Sequence, residues 1–197
     1  MNVRSDQKER TRGDILASAS RLLRERGIGG ASVAEVMKGA GLTVGGFYAH
    51  FASKDELVDA TLRHSMRQMW DQLLPTVGSA RGAEAVAAIM RRYLSRSHRD
   101  HPAEGCPLPA VVGDAAQASP MIRDALADEL GRHADTLAAL LHGERRRHKA
   151  LALVALMYGG LGLARALAGT PLSDEILEAC RAFARQAFEH EPGTSGT

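Results

Sequence analysis

Aromatic side chains are scarce in this chain, with one Trp, three Tyr and four Phe among 197 residues. Stretches that alternate apolar and polar residues are also hard to find. A half-buried β-strand needs that alternation and favours aromatic and β-branched residues. The chain is instead rich in Ala and Leu, and it predicts an all-α fold of about nine helices. Its two cysteines, Cys106 and Cys180, lie far apart and make neither a disulfide framework nor a zinc site. His98 and His101 have an i, i+3 spacing that can hold a metal, with Glu104 and Cys106 nearby. Eight histidines scattered along the chain give such a pair by chance, so no metal or cofactor is expected. No run of eighteen apolar residues is present, and no membrane span is expected. The N-terminus is polar and charged, unlike a secretory signal peptide, so a cytoplasmic location is expected. No nucleophile–base set or phosphate-cradling Gly-rich loop stands out, and the chain does not read as an enzyme. There is no internal repeat.

The net charge is only +2, yet it is unevenly spread. Residues 1–55 hold nine Lys/Arg against six Asp/Glu, whereas residues 56–197 hold sixteen against seventeen. Arg4, Lys8, Arg10 and Arg12 make a short basic arm at the start. An arm of this kind is either a solvated face or a source of salt-sensitive affinity for a polyanion.

The most informative stretch is SVAEVMKGAGLTVGGFYAHFASKDEL, from Ser32 to Leu57. Ser32 and Glu35 have the spacing of a capping box. Val33, Val36 and Met37 share one helical face, and Gly39 and Gly41 mark a stop and a turn. Thr43 can cap a second helix, Val44 to His50. Ser53 can cap a third, with Asp55 and Glu56 in its first turn, where the helix dipole favours acids. Two short helices around a Gly-containing turn form the helix-turn-helix pattern, whose second helix enters the DNA major groove. Gly45 and Gly46 each cost about 1 kcal/mol in a helix, so Leu42, Phe47 and Phe51 must anchor it. In exchange, bare glycines let the backbone come close to a rigid surface. Ser32, Thr43, Tyr48, His50 and Lys54 supply the short donors and cations that phosphates require.

Along the rest of the chain, helical spacing predicts segments over Thr11–Arg26, Lys54–Leu74, Ala83–Ser97, Leu108–Ala118, Pro120–Leu141, Glu144–Ala168 and Ser173–His190, followed by a flexible tail. The long segment from Lys54 reads as a rod shared by two parts of the molecule.

The run TRGDILASASRLLRERG followed by SVAEVMKGAGLTVGGFYAHFASKDELV closely resembles the N-terminal domain of TetR-family transcriptional regulators, over about fifty consecutive residues. The remainder matches that family only in helix count and order. The resemblance implies a three-helix DNA-binding domain over 1–53, an effector-binding and dimerisation domain over 54–190, and a tail over 191–197. It implies a homodimeric repressor that leaves a palindromic double-stranded DNA operator when a small-molecule or electrophilic effector binds. Residues matching Tyr48, His50 and Lys54 touch phosphates in the family, and those matching Thr43, Val44 and Gly45 lie at the groove. Many members carry a lysine where this chain has Val44, and Ser or Thr at Gly46. Direct polar base readout is therefore expected to be sparse, with Val44 set against a thymine methyl and the remainder read from DNA shape.

An effector pocket is expected between the helices that follow, since bundles place ligand sites there. Met66, Met69, Trp70, Met90, Tyr93, Val111 and Met121 are candidate lining residues, or simply core. Cys106, in Gly-Cys-Pro-Leu-Pro, falls near the start of a short helix, where a thiol's pKa drops. It is either a redox or electrophile sensor or a small buried packing residue. Gly159 and Gly160 lie among Leu156, Leu163 and Leu167; with Leu177 and Phe188 they suggest a four-helix dimer interface. The alternative is packing inside the chain.

Overall fold

The computed structural model describes residues 3–30 and 32–189. The expected tail lies outside the described residues, as does the side chain of Arg4. Nine α-helices account for the described chain, which contains no strand. They are α1 (Val3–Arg26), α2 (Val33–Gly39), α3 (Lys54–Leu73), α4 (Gly82–Tyr93), α5 (Arg96–Asp100), α6 (Leu108–Ala115), α7 (Pro120–Leu140), α8 (Arg146–Ala166) and α9 (Pro171–Glu189). Short 3-10 turns cover Val44–Ala49, Leu74–Thr76 and Pro102–Glu104.

The largest departures from the sequence expectation are three. α1 starts at Val3 rather than Thr11, because residues 3–10 contain no proline or glycine and place Asp6 in the first turn. The segment from Ala83 stops at Tyr93 rather than Ser97. Ser95 breaks it by capping α5, its hydroxyl oxygen accepting the His98 N–H at 3.1 Å. The stretch from Val44 is a six-residue 3-10 turn rather than an α-helix. Two adjacent glycines withdraw the propensity that a full α-helix needs, and the tighter turn needs fewer bonds.

The chain packs as two compact units. The first comprises residues 1–67 and 106–127, and the second residues 68–105 and 128–197. In the first, Ile15, Ala19 and Leu22 of α1 meet Val36 and Met37 of α2, Phe47, Phe51 and Leu57 in one buried cluster. Apolar spacing on α1 and α2 creates this core, and two phenylalanines close it, their rings stacked 5.8 Å apart. The buried hydroxyls of Ser18 and Ser65 are satisfied: Ser18 donates to the Val36 carbonyl at 2.9 Å, and Ser65 to Ser20 at 2.8 Å. α6 packs on α1 within this unit.

In the second unit, α9 lies against both α4 and α8. α8 is the one helix among the described residues that is long and apolar enough, by length and composition, to cross a membrane. Here it is a core helix, burying Leu153, Val154, Met157, Leu161 and Ala164. Gly160 is where α9 comes nearest: a Cβ there would stand 2.9 Å from Cys180 Sγ and 3.4 Å from Leu94. Its close neighbour is thus the chain's own α9. An ionic knot ties α5 to the start of α9, with Arg96 and Arg99 both on Asp174, at 2.8 and 2.7 Å.

Candidate nucleic-acid interface

The capping box at α2 is complete. Ser32 Oγ accepts the Glu35 N–H at 3.1 Å, and the Glu35 carboxylate accepts the Ser32 N–H at 3.1 Å and its hydroxyl at 2.8 Å. Arg26 adds an ion pair to Glu35 at 2.9 Å. The backbone and side-chain bonds of Ser32, then Arg26, hold the Glu35 carboxyl below its ordinary pKa. The Ser32 hydroxyl is therefore committed to the helix start, and it offers a phosphate lone pairs rather than a proton.

The turn between α2 and the 3-10 segment runs through Gly41 at φ +72, in the left-handed region that glycine tolerates. Thr43 then stands at the N-cap position, but its side chain makes no capping bond. Sequence reading assigned it a capping role; the short 3-10 turn closes through the Gly46 N–H to the Thr43 carbonyl instead. The Thr43 hydroxyl is exposed and makes no cap. Within the turn, Phe47 points into the core while Tyr48 is 77% exposed and Val44 49% exposed. The Phe47 ring meets Tyr48 edge-on at 5.2 Å, so the buried ring orients the exposed one. Gly45 has open space where a Cβ would stand. Lys54 is exposed at the first position of α3. Ser53 caps that helix, accepting the Glu56 N–H at 3.1 Å.

His50 is half-buried, and its Nδ1 is buried without a hydrogen-bond partner. Burial first, then the charges of Lys8 and Arg12, push its pKa below the ordinary value. The lowered pKa favours the neutral imidazole at pH 7. Arg12 lies over the Phe51 ring, with 4.4 Å from Cζ to the centroid. Sequence reading took Arg12 only as part of a basic arm; this cation–π contact has no local signature, because its partner is thirty-nine residues on.

Of the residues expected to contact DNA, Thr43, Val44, Gly45, Tyr48 and Lys54 are all exposed within twelve residues of chain, and Ser32 is exposed at the start of α2. A family model for bacterial regulatory proteins of the tetR family matches residues 15–61, the stretch that builds this surface. Over that stretch the chain is similar to tetR-family regulators. It is 44% identical over 52 residues to the HTH-type transcriptional repressor KstR2 of Mycobacterium tuberculosis. That match spans about a quarter of each protein, 26% of this chain and 26% of the relative. Whole-chain likeness is one of fold. The crystal structure of Escherichia coli NemR in its reduced form superposes with a TM-score of 0.80 at 20% identity, covering 93% of this chain and 99% of that one. A TetR-family regulator from Cytophaga hutchinsonii gives 0.76 at 18% identity, covering 94% and 98%.

The remaining candidates fall in several places. Met69 and Tyr93 line a small cavity of about 50 Å³ with Gln72, Leu73, Arg92, His98, Glu104 and Gly105. Met66, Trp70, Met90 and Val111 are buried, whereas Met121 is 48% exposed on α7. Cys106 is fully buried just ahead of Pro107 and α6. Both candidate metal histidines turn Nδ1 to a backbone carbonyl, His98 to Tyr93 at 2.7 Å and His101 to Ser97 at 2.9 Å. A mostly apolar groove of about 490 Å³ runs along α8 and α9, lined by Leu153, Leu156, Phe183, Ala184 and Phe188 among others. Of the interface candidates, Gly159 and Leu163 are exposed, Leu156 and Leu167 half-buried, and Gly160, Leu177 and Phe188 buried. Phe183, 64% exposed, was missed by sequence reading; it lies off the buried stripe Leu177–Ala184–Phe188, and that offset was its signal.

Proposed function

We propose that this chain is a homodimeric transcriptional repressor that binds a palindromic DNA operator through Thr43, Val44, Gly45, Tyr48, His50 and Lys54, and is released by a small-molecule effector. The observation that carries the reading is the 3-10 turn Val44–Ala49. Phe47 anchors it from below, while Val44, Gly45 and Tyr48 stand exposed above. His50 offers an imidazole, Tyr48 a phenol and Lys54 a charge, a set suited to phosphates. Val44 suits a thymine methyl, and the absence of a long polar side chain on the turn leaves sequence to be read partly through DNA shape. Residues 1–53 serve as the reading domain and 54–190 as the domain for effector and dimer, in the cytoplasm. Two recognition turns related by a two-fold axis call for a palindromic site. The apolar α8–α9 groove and exposed Phe183 and Leu163 support the dimer. Selecting duplexes from a random pool with the purified protein tests this reading. It predicts inverted half-sites about one helical turn apart; recovery of no enriched sequence refutes it.

A second reading places an electrophile receptor at Cys106. Its support is position: the thiol directly precedes α6, which packs on α1. Full burial means that a reagent reaches it only when the start of α6 opens. Cys106→Ser is then expected to keep operator binding and lose release by iodoacetamide. A serine variant that iodoacetamide still releases from DNA removes this reading.

A further inference from the structure

The turn between α1 and α2 is Gly27-Ile28-Gly29-Gly30, three glycines in four residues. Gly27 takes φ +73. Such a turn has little stiffness of its own, yet it sets the angle at which α2 and the recognition turn leave α1. The support comes from outside it. On one side Arg26 pairs with Glu35 of α2. On the other, Asp114 of α6, far along the chain, accepts the Ile28 N–H through Oδ2 at 2.8 Å. The approach is so close that a Cβ on Gly27 would overlap Asp114 Oδ2 and lie 2.8 Å from the Ala110 carbonyl oxygen. The Ile28 side chain, meanwhile, lines a small apolar cleft with Leu23, Val33, Val36 and Leu57. Ile28 is thus held by α6 through its backbone, and its side chain faces the same cleft as Val33 and Val36 of α2. All of these contacts lie inside the unit that comprises residues 1–67 and 106–127.

We propose that Asp114 is a positioning residue for DNA recognition. From α6 its carboxylate fixes the α1–α2 turn, and through Ile28 it sets the placement of α2 and the recognition turn, without itself touching DNA. A carboxylate at a phosphate would repel it, so a role through the turn is the one its chemistry allows. The inference rests on the DNA-binding reading above. It also gives α6 a direct hold on the reading head: a displacement that breaks this bond leaves the three-glycine turn with support on one side only.

The test uses the full chain and a duplex that the wild-type protein itself enriches from a random pool. Asp114→Ala is expected to weaken binding to that duplex by about tenfold or more, the scale of one lost hydrogen bond to a charged group. Its affinity for a scrambled duplex and its salt slope should stay as in wild type, because no phosphate contact is lost. Asp114→Asn keeps an acceptor oxygen and should bind within about twofold of wild type. Hydrogen exchange at the Ile28 amide should quicken in Asp114→Ala and not in Asp114→Asn. Wild-type affinity in Asp114→Ala overturns the proposal, as does equal loss in the Asn variant or a salt slope lowered by one. A wild-type chain that enriches no duplex instead overturns the DNA-binding reading.

Discussion

Lys54 stands exposed in the first turn of α3, where a cation opposes the helix dipole and gains nothing locally. A phosphate reverses that balance. Lys54→Ala is therefore expected to weaken binding to every duplex alike and to lower the slope of log affinity against log salt by about one. Anisotropy titrations from low to moderate salt read this, and an unchanged slope takes Lys54 out of the interface. His133 carries a different prediction. It is 3% exposed, its Nδ1 bonds to the Tyr158 hydroxyl at 2.7 Å, and its ring lies against Trp70 with centroids 4.5 Å apart. Burial lowers its pKa to about 3. Its folded pKa is depressed below the unfolded value, so the unfolded chain binds the proton first. Stability is full above pH 6.5 and falls as pH drops from there toward 3, by at most about 1.4 kcal/mol per unit. Urea unfolding at pH 7 and pH 5 should show this slope shrink in His133→Gln relative to wild type.

Helix α2 is only seven residues long, and its capping box is the main local reason that it forms. Ser32→Ala removes both the oxygen that accepts the Glu35 N–H and the hydroxyl that Glu35 accepts, and should cost about 1 kcal/mol in thermal or urea unfolding. The opposite sign is expected at Arg145, the residue before α8, whose φ is +54. A side chain is strained there, and Arg145→Gly should stabilise the chain by up to about 1 kcal/mol. The short turn Val44–Ala49 gives the clearest case of partial legibility. Thr43, the two glycines, Phe47 and Phe51 announced a small anchored element, and its place in the core followed. That it would be a 3-10 turn, with Thr43 making no cap, was not legible, because the two glycines weaken an α-helix without saying which turn replaces it.

For the molecule as a whole, the α8–α9 face carries the last prediction. Phe183 is exposed beside a mostly apolar groove. If that face joins two copies, Phe183→Glu should yield monomers in sedimentation while leaving helix content and unfolding intact, since nothing inside the chain depends on the ring. Gly160→Leu should behave differently. Gly160 meets Cys180 and Leu94 of its own chain, so a leucine there should lower the unfolding free energy as well as any assembly.

The sequence by itself determined the helical class, the start and stop of most helices, and the caps at Ser32 and Ser53 that frame residues 32–57. Caps, turn glycines and apolar spacing act over three or four residues, and one stretch of chain contains both partners of each contact. The tertiary structure alone decided what joins distant stretches: Arg12 over Phe51, Phe183 left outside while Phe188 is covered, Gly160 against Cys180, and Asp114 on the Ile28 amide. Each of these depends on how segments distant in the chain come together. Spacing along a single helix says which face is apolar, but which neighbour that face meets, and at what height, is set by the packing of all the helices together.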